Sequence, residues 1–127
     1  MRPTRSLALV LVISSIISLA GRAQAAEEIV ELRLQHAKCL CGIVTYANGS
    51  PASGARIEEL GPDWTGAPLR STESNSEGRF TLPPVKGRKV YYLQISMREP
   101  GVNPLRVPVQ IGRFRGTKLL RLRLELA

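Results

Sequence analysis

The chain of 127 residues has one histidine, two cysteines and one tryptophan, and aromatic residues make up only 5% of it. Each scarcity removes a class of function. A hydrolytic zinc centre takes at least two imidazoles with a carboxylate ligand and a separate catalytic carboxylate, and His36 is the only imidazole available. A serine or cysteine nucleophile wants a histidine base beside it, yet no serine here sits in a recognisable elbow. The sequence therefore reads as a non-enzyme, and it carries no cofactor motif. Two cysteines cannot build the disulfide framework of a small secreted scaffold. No second aromatic stands at a fixed offset from Trp64 to extend a stacking platform. Helix-period apolar runs are nearly missing, and no apolar run reaches the roughly 20 residues that cross a bilayer.

What is present begins with a leader pattern. Arg2 and Arg5 precede an apolar run from Leu7 to Ala20, broken by Ser14, Ser15 and Ser18, and Ala23-Gln24-Ala25 supplies the small-x-small site that signal peptidase reads. Residues 1–25 are thus expected to be a cleaved signal peptide, with a mature chain starting at Ala26 that is secreted or periplasmic. No cysteine follows the run closely enough for lipid attachment. The remainder is the size of one small domain with a single core. Its charge is uneven: from Ala26 to Glu77 four bases face eight acids, whereas from Lys86 to Arg123 ten bases are opposed only by Glu99. The second half carries the basic character.

Apolar residues alternate with polar ones in most segments, and Gly, Pro, Asn and Ser punctuate them about every ten residues, the pattern of an all-β sandwich. Leu120, Leu122, Leu124 and Leu126 alternate with Arg121, Arg123 and Glu125 in the clearest strand. Tyr91, Leu93, Ile95 and Met97 make a second inward row, and Leu105, Val107, Val109 and Ile111 a third. Pro104 and Pro108 predict an edge position or a bulge for that third strand, because proline cannot donate to a ladder. Leu40, Gly42 and Val44 share a face, Asn48-Gly49 offers a strand-reversing turn, and Ala55, Ile57 and Glu59 begin the return. Residues 26–38 form an N-terminal extension able to add one short strand, and residues 39–127 the sandwich. From Ser74 to Leu82 a polar turn closed by Gly78 runs into a strand with Phe80 and Leu82 inward.

Gly42-Ile43-Val44, Asn48 to Ile57, Ser74 to Leu82 and Tyr91-Tyr92-Leu93-Gln94-Ile95 together resemble the carboxypeptidase regulatory-like domain in order and spacing, over nearly all of residues 39–126. The resemblance implies a transthyretin-like or Ig-like antiparallel sandwich of about seven strands, related to the starch-binding-like folds and without a reaction of its own. Ser74-Asn75 stands where that family usually has Thr-Asp, and the segment from Glu27 to Lys38 is additional. Phe114-Arg115-Gly116-Thr117 is similar to the Tyr-Arg-Gly-Ser signature of transthyretin-related hydroxyisourate hydrolases. In those enzymes the tetrapeptide ends the chain and works with several histidines. Here it is read as a turn opening a further strand.

Three groups are candidate sites. Arg113, Arg115, Lys118, Arg121 and Arg123 cluster around the last turn and the outer face of the last strand, and Arg106 extends them. Such a surface attracts carboxylates and phosphates, so an acidic protein, an anionic glycan or lipid head groups are the expected partners, and nucleic acid is not one for an exported protein. The same charges equally suit a solvated face that guards a sheet edge. Trp64 lies on the loop from Gly61 to Pro68 and is expected to cover the open end of the sandwich; the alternative is an indole that stacks on a sugar ring. Cys39 and Cys41, with His36, could offer ligands to a soft metal, but three on one short segment make a thin set. Extended geometry would hold the two Cα atoms about 6.6 Å apart, too far for a regular bridge. A bridge at an irregular strand start, an intermolecular bridge and two thiols remain open. The functional expectation is a non-catalytic exported module with a structural or protein-binding role, the alternative being a carbohydrate-binding module that uses Trp64.

Overall fold

A computed structural model describes residues 27–113 and 119–127. The expected leader and its cleavage site, and Phe114, Arg115, Gly116, Thr117 and Lys118, lie outside them. The described residues form strand segments β1 (Val30–Glu31), β2 (Gln35–Ala37), β3 (Leu40–Thr45), β4 (Arg56–Leu60), β5 (Arg70–Glu73), β6 (Arg79–Leu82), β7 (Val90–Ser96), β8 (Val102–Asn103), β9 (Leu105–Ile111), β10 (Leu120–Arg123) and β11 (Glu125–Leu126). No helix is among them, as period-two alternation requires. The larger sheet has the order β1-β9-β7-β4-β5 with β2 also on β9, and the smaller has β10-β3-β6. Facing rows from both sheets meet in one core that includes Leu40, Val44, Ile57, Phe80, Leu93, Val107 and Leu122. The chain is an all-β sandwich.

Most pairings are antiparallel, but three are parallel: β10 with β3, and β1 and β2 each with β9. The first depends on Gly42. Leu120 lies opposite it, and a Cβ there would collide with the Leu120 carbonyl oxygen. At its end the last strand leaves β3, with the Leu124 amide donating to the Thr45 carbonyl at 2.8 Å. It then pairs through β11 with β8, which leads into β9 of the other sheet. One corner of the sandwich is stitched this way. The cost is visible at Leu126, which sequence alternation placed inward and which is 71% exposed.

The strand with two prolines is not an edge. β9 lies between β7 and the N-terminal extension. The Val30 amide donates to the Pro104 carbonyl and the Leu32 amide to the Arg106 carbonyl, at 2.8 and 2.9 Å. The next rung of such a parallel ladder would run from the amide of residue 108 to the Leu32 carbonyl, and proline has no proton to give. β1 stops there. When β2 resumes, the register has shifted by one residue, from Val30↔Leu105 to Gln35↔Val109. The bulge expected from Pro108 therefore falls on the neighbouring strand.

The turn from Ser74 to Gly78 behaves as its sequence suggests. Asn75 Oδ1 accepts from the amides of Glu77 and Arg79, both at 2.9 Å, and Gly78 takes a φ of 77°. Ser74 is buried, donates to the Ala52 carbonyl and accepts from the Ala55 amide. That seals the turn against the segment entering β4. Asn48-Gly49 also turns the chain, yet only a single bridge, Thr45↔Pro51, follows it. β4 crosses to the larger sheet instead of returning along β3.

Candidate functional site

The inner face of β4 carries a carboxylate. Strand alternation points Ile57 and Glu59 the same way, and Glu59 is 1% exposed. A buried charge must be paired. Arg70, in register across β5, donates from Nε to Glu59 Oε1 at 2.7 Å, and Arg88 Nη1 bonds the other oxygen, Oε2. Both guanidinium groups also lie over the Tyr91 ring, 6.0 and 5.3 Å from its centroid. The Tyr91 hydroxyl donates to the Arg88 carbonyl and accepts from the Val85 amide, both at 2.8 Å. The cluster locks the β6–β7 loop onto β4 and β5. Both Glu59 oxygens are taken up by the arginines, while Arg70 Nη2 is buried without a hydrogen-bond partner among the described residues, and the cluster's role is to hold the loop.

The outer face of the same sheet has a second cluster. Trp64 packs edge to face on Tyr92, with centroids 5.4 Å apart and planes at 86°. The Arg106 guanidinium lies over the indole at 5.3 Å, and its Nε donates to Gln94 Oε1 at 3.0 Å. Tyr92, Gln94 and Arg106 alternate with inward Tyr91, Leu93 and Leu105, so all three project away from the core. Trp64 thus lies on the outer face of the larger sheet and does not cover the open end of the sandwich. The loop reaches it by an uncommon path: Trp64 has a φ of 63°, the sole non-glycine residue in the left-handed region among the described residues. Its amide donates to the Gly61 carbonyl at 3.0 Å, and the Asp63 carboxylate accepts from the Thr65 hydroxyl at 2.6 Å and from its amide. Those bonds hold the Asp63 carboxyl below its ordinary value of 3.8, the hydroxyl contributing most.

The basic residues singled out by sequence do not share one surface. Arg121 and Arg123 are exposed on the outer face of the smaller sheet. Arg106 belongs to the opposite face of the sandwich. Arg113 is exposed just past β9, at one end. Around it, the Gly112 amide donates to the Ala37 carbonyl and the Ile111 amide to the Lys89 carbonyl, which brings Lys38, Lys89 and Arg113 together. Lys86 and Arg88 lie on the adjoining loop, and no acid occurs on these three segments. Arg115 and Lys118 lie outside the described residues.

Cys39 and Cys41 form a disulfide with Cα atoms 5.2 Å apart. The bridge is possible because Cys39 sits in a bend and β3 starts only at Leu40, which shortens the span below that of a regular strand. Both sulfurs are thereby committed to one another. Among the described residues no three His, Cys, Asp or Glu side chains are grouped to hold a metal ion, and no helix is long and apolar enough to cross a membrane. Tyr92 and Gln94 entered the sequence reading only as part of the Tyr91 to Ile95 strand motif and not as site residues, because they stand on the polar side of that strand. Glu59 left a signal: an acid at an inward position demands bases. Neither a family model nor a curated protein matches the chain.

Proposed function

We propose that the protein is an exported, non-catalytic module of the carboxypeptidase regulatory-like kind, which acts by docking an acidic protein partner. The observation that carries this reading is the end of the sandwich where the backbone brings Lys38, Lys89 and Arg113 together, with Lys86 alongside and no acid on the same segments. A one-sign surface steers an oppositely charged partner and weakens with salt, since exposed charges interact over about 10 Å at 0.1 M. The sequence adds Arg115 and Lys118 directly after Arg113. Co-purification from the exported fraction of the producing cells tests the reading. Lys89→Glu with Arg113→Glu is expected to release the partner at a several-fold lower salt concentration, while Arg121→Glu with Arg123→Glu, on the smaller sheet, changes little. If the first pair leaves retention unchanged, the end is only a solvated surface.

A second reading has its own observation. Trp64 lies with Tyr92 and Arg106 on the outer face, where a sugar ring can reach the aromatic pair, which favours a carbohydrate-binding module.

A further inference from the structure

We infer that the outer face of the larger sheet is a binding site for a glycan carrying a single uronic acid, with Arg106 as the partner of its carboxylate. The inference rests on the carbohydrate-binding reading and names its ligand. Arg106 is held from two sides: Gln94 bonds Nε at 3.0 Å, and the guanidinium carbon lies over the Trp64 ring, 5.3 Å from its centroid. Neither terminal nitrogen has a hydrogen bond or ion pair among the described residues. A guanidinium held in this way presents a fork that matches a carboxylate bidentately, and part of its ordering precedes the ligand.

The neighbours of Arg106 narrow the ligand. Register pairs Arg106 with Gln94 on one side and with Glu31 on the other; Gln94 pairs with Glu58, and Glu58 with Ser71. In-register residues share a face, so Ser71, Glu58, Gln94, Arg106 and Glu31 form one polar row across five strands, spaced by about 4.8 Å. The row holds one cation between two carboxylates. A peptide or polymer with a negative charge on every unit is repelled by Glu31 and Glu58. A mostly neutral glycan gains from them, because each carboxylate accepts hydrogen bonds from hydroxyls while Arg106 takes the one acid group. Beside the row, Trp64 and Tyr92 supply apolar faces for a sugar ring. The core does not require Trp64 there, and its left-handed φ is the kind of local strain that gathers at ligand sites.

Trp64 is the single tryptophan, so its emission reports occupancy directly. The test titrates the wild-type protein with aldotetraouronic acid, a xylotriose bearing one glucuronate, and with its carboxyl-reduced counterpart. The expected result is a change in Trp64 emission on binding and an affinity about tenfold lower for the reduced sugar, as befits loss of one charge-assisted pair. Arg106→Lys and Arg106→Gln, checked for unchanged thermal midpoints, are expected to lose about as much, since lysine keeps the charge without the fork. Equal affinity for both sugars overturns the acid-sugar inference and leaves a neutral-glycan module. Binding of neither overturns both readings. Binding of tetraglutamate as tight as that of the sugar, abolished by Arg106→Gln, makes the site a simple carboxylate reader and also overturns the inference.

Discussion

The two sheets divide their labour differently. In the smaller sheet, every described inward residue serves packing: Leu40, Val44, Phe80, Leu82, Leu120 and Leu122 fill the core, and Gly42 lets β10 approach. Its outer face carries Arg121 and Arg123, with no aromatic contact among the described residues. The larger sheet departs from simple packing on both sides, with a carboxylate between two arginines inside and an arginine stacked on an indole outside. The inner cluster ties a loop to the sheet, but a sandwich does not need the outer one. Residues that a fold does not need are where recognition is to be sought, and so the comparison points to the outer face of the larger sheet.

The largest effect should come from the side where packing is everything. Phe80 is buried in the core opposite Gly42 on β3. Phe80→Ala is expected to destabilise the domain by about 3 to 5 kcal/mol, the usual range for a core phenylalanine, measured by urea unfolding. A loss under about 1 kcal/mol would mean that the smaller sheet is not held by its apolar face, and the contrast would fail.

Glu59→Ala comes next. Removing one member of a wholly buried ion pair costs about 3 to 5 kcal/mol, but Arg70 and Arg88 are 26% and 38% exposed, so water takes up part of the loss. The expectation is about 2 to 3 kcal/mol by the same measurement. Glu59→Leu sharpens the point, because an apolar isostere fills the space but leaves both arginines without their acceptor. If Glu59→Leu proves more stable than the wild type, the inner cluster serves specificity at the expense of stability.

Trp64→Ala should cost less, about 1 to 2 kcal/mol, from one aromatic pair and one cation–π contact on a half-buried face. Thermal unfolding measures it. A loss as large as that of Phe80→Ala would make Trp64 a structural keystone and remove the ground for calling the outer face expendable to the fold.

How much of this was legible in the sequence follows from what is local. The inward rows that begin at Tyr91, Leu105 and Leu120 were readable because period two is a property of neighbouring residues: the first three members of each are buried, while the last members fall short, Met97 and Ile111 being half-buried and Leu126 exposed. The Ser74 to Gly78 turn was readable for the same reason. Strand order was not, because it depends on distant partners. β3 and β4 flank a good reversing turn and yet enter different sheets. Pro104 and Pro108 suggested an edge or a bulge in β9, but the N-terminal extension covers β9 by skipping the rung that Pro108 cannot make, so the bulge lies on that neighbour. Arg106, Arg121 and Arg123 are close in sequence and on opposite faces in space. Only the sheet assignment separates them, and only the path of the Gly61–Pro68 loop reveals that Trp64 meets Arg106.

The smallest expected effect concerns that loop. The Asp63 carboxylate accepts the Thr65 hydroxyl and amide and is thereby held below its ordinary value of 3.8. A carboxylate whose folded value is depressed contributes order that is complete above the unfolded value and is lost as pH falls through the folded one. The loop should therefore be fully fixed at neutral pH and loosen only below 3.8. Because Asp63 is exposed, global stability should hardly register the change. Trp64, the next residue, should register it as a shift in emission during an acid titration. Asp63→Asn keeps an oxygen for the Thr65 amide but cannot titrate, so it should remove the transition while leaving the neutral-pH spectrum nearly unchanged. A transition that persists in Asp63→Asn would show that the pH response does not come from Asp63 and would detach the loop from the contrast between the two sheets.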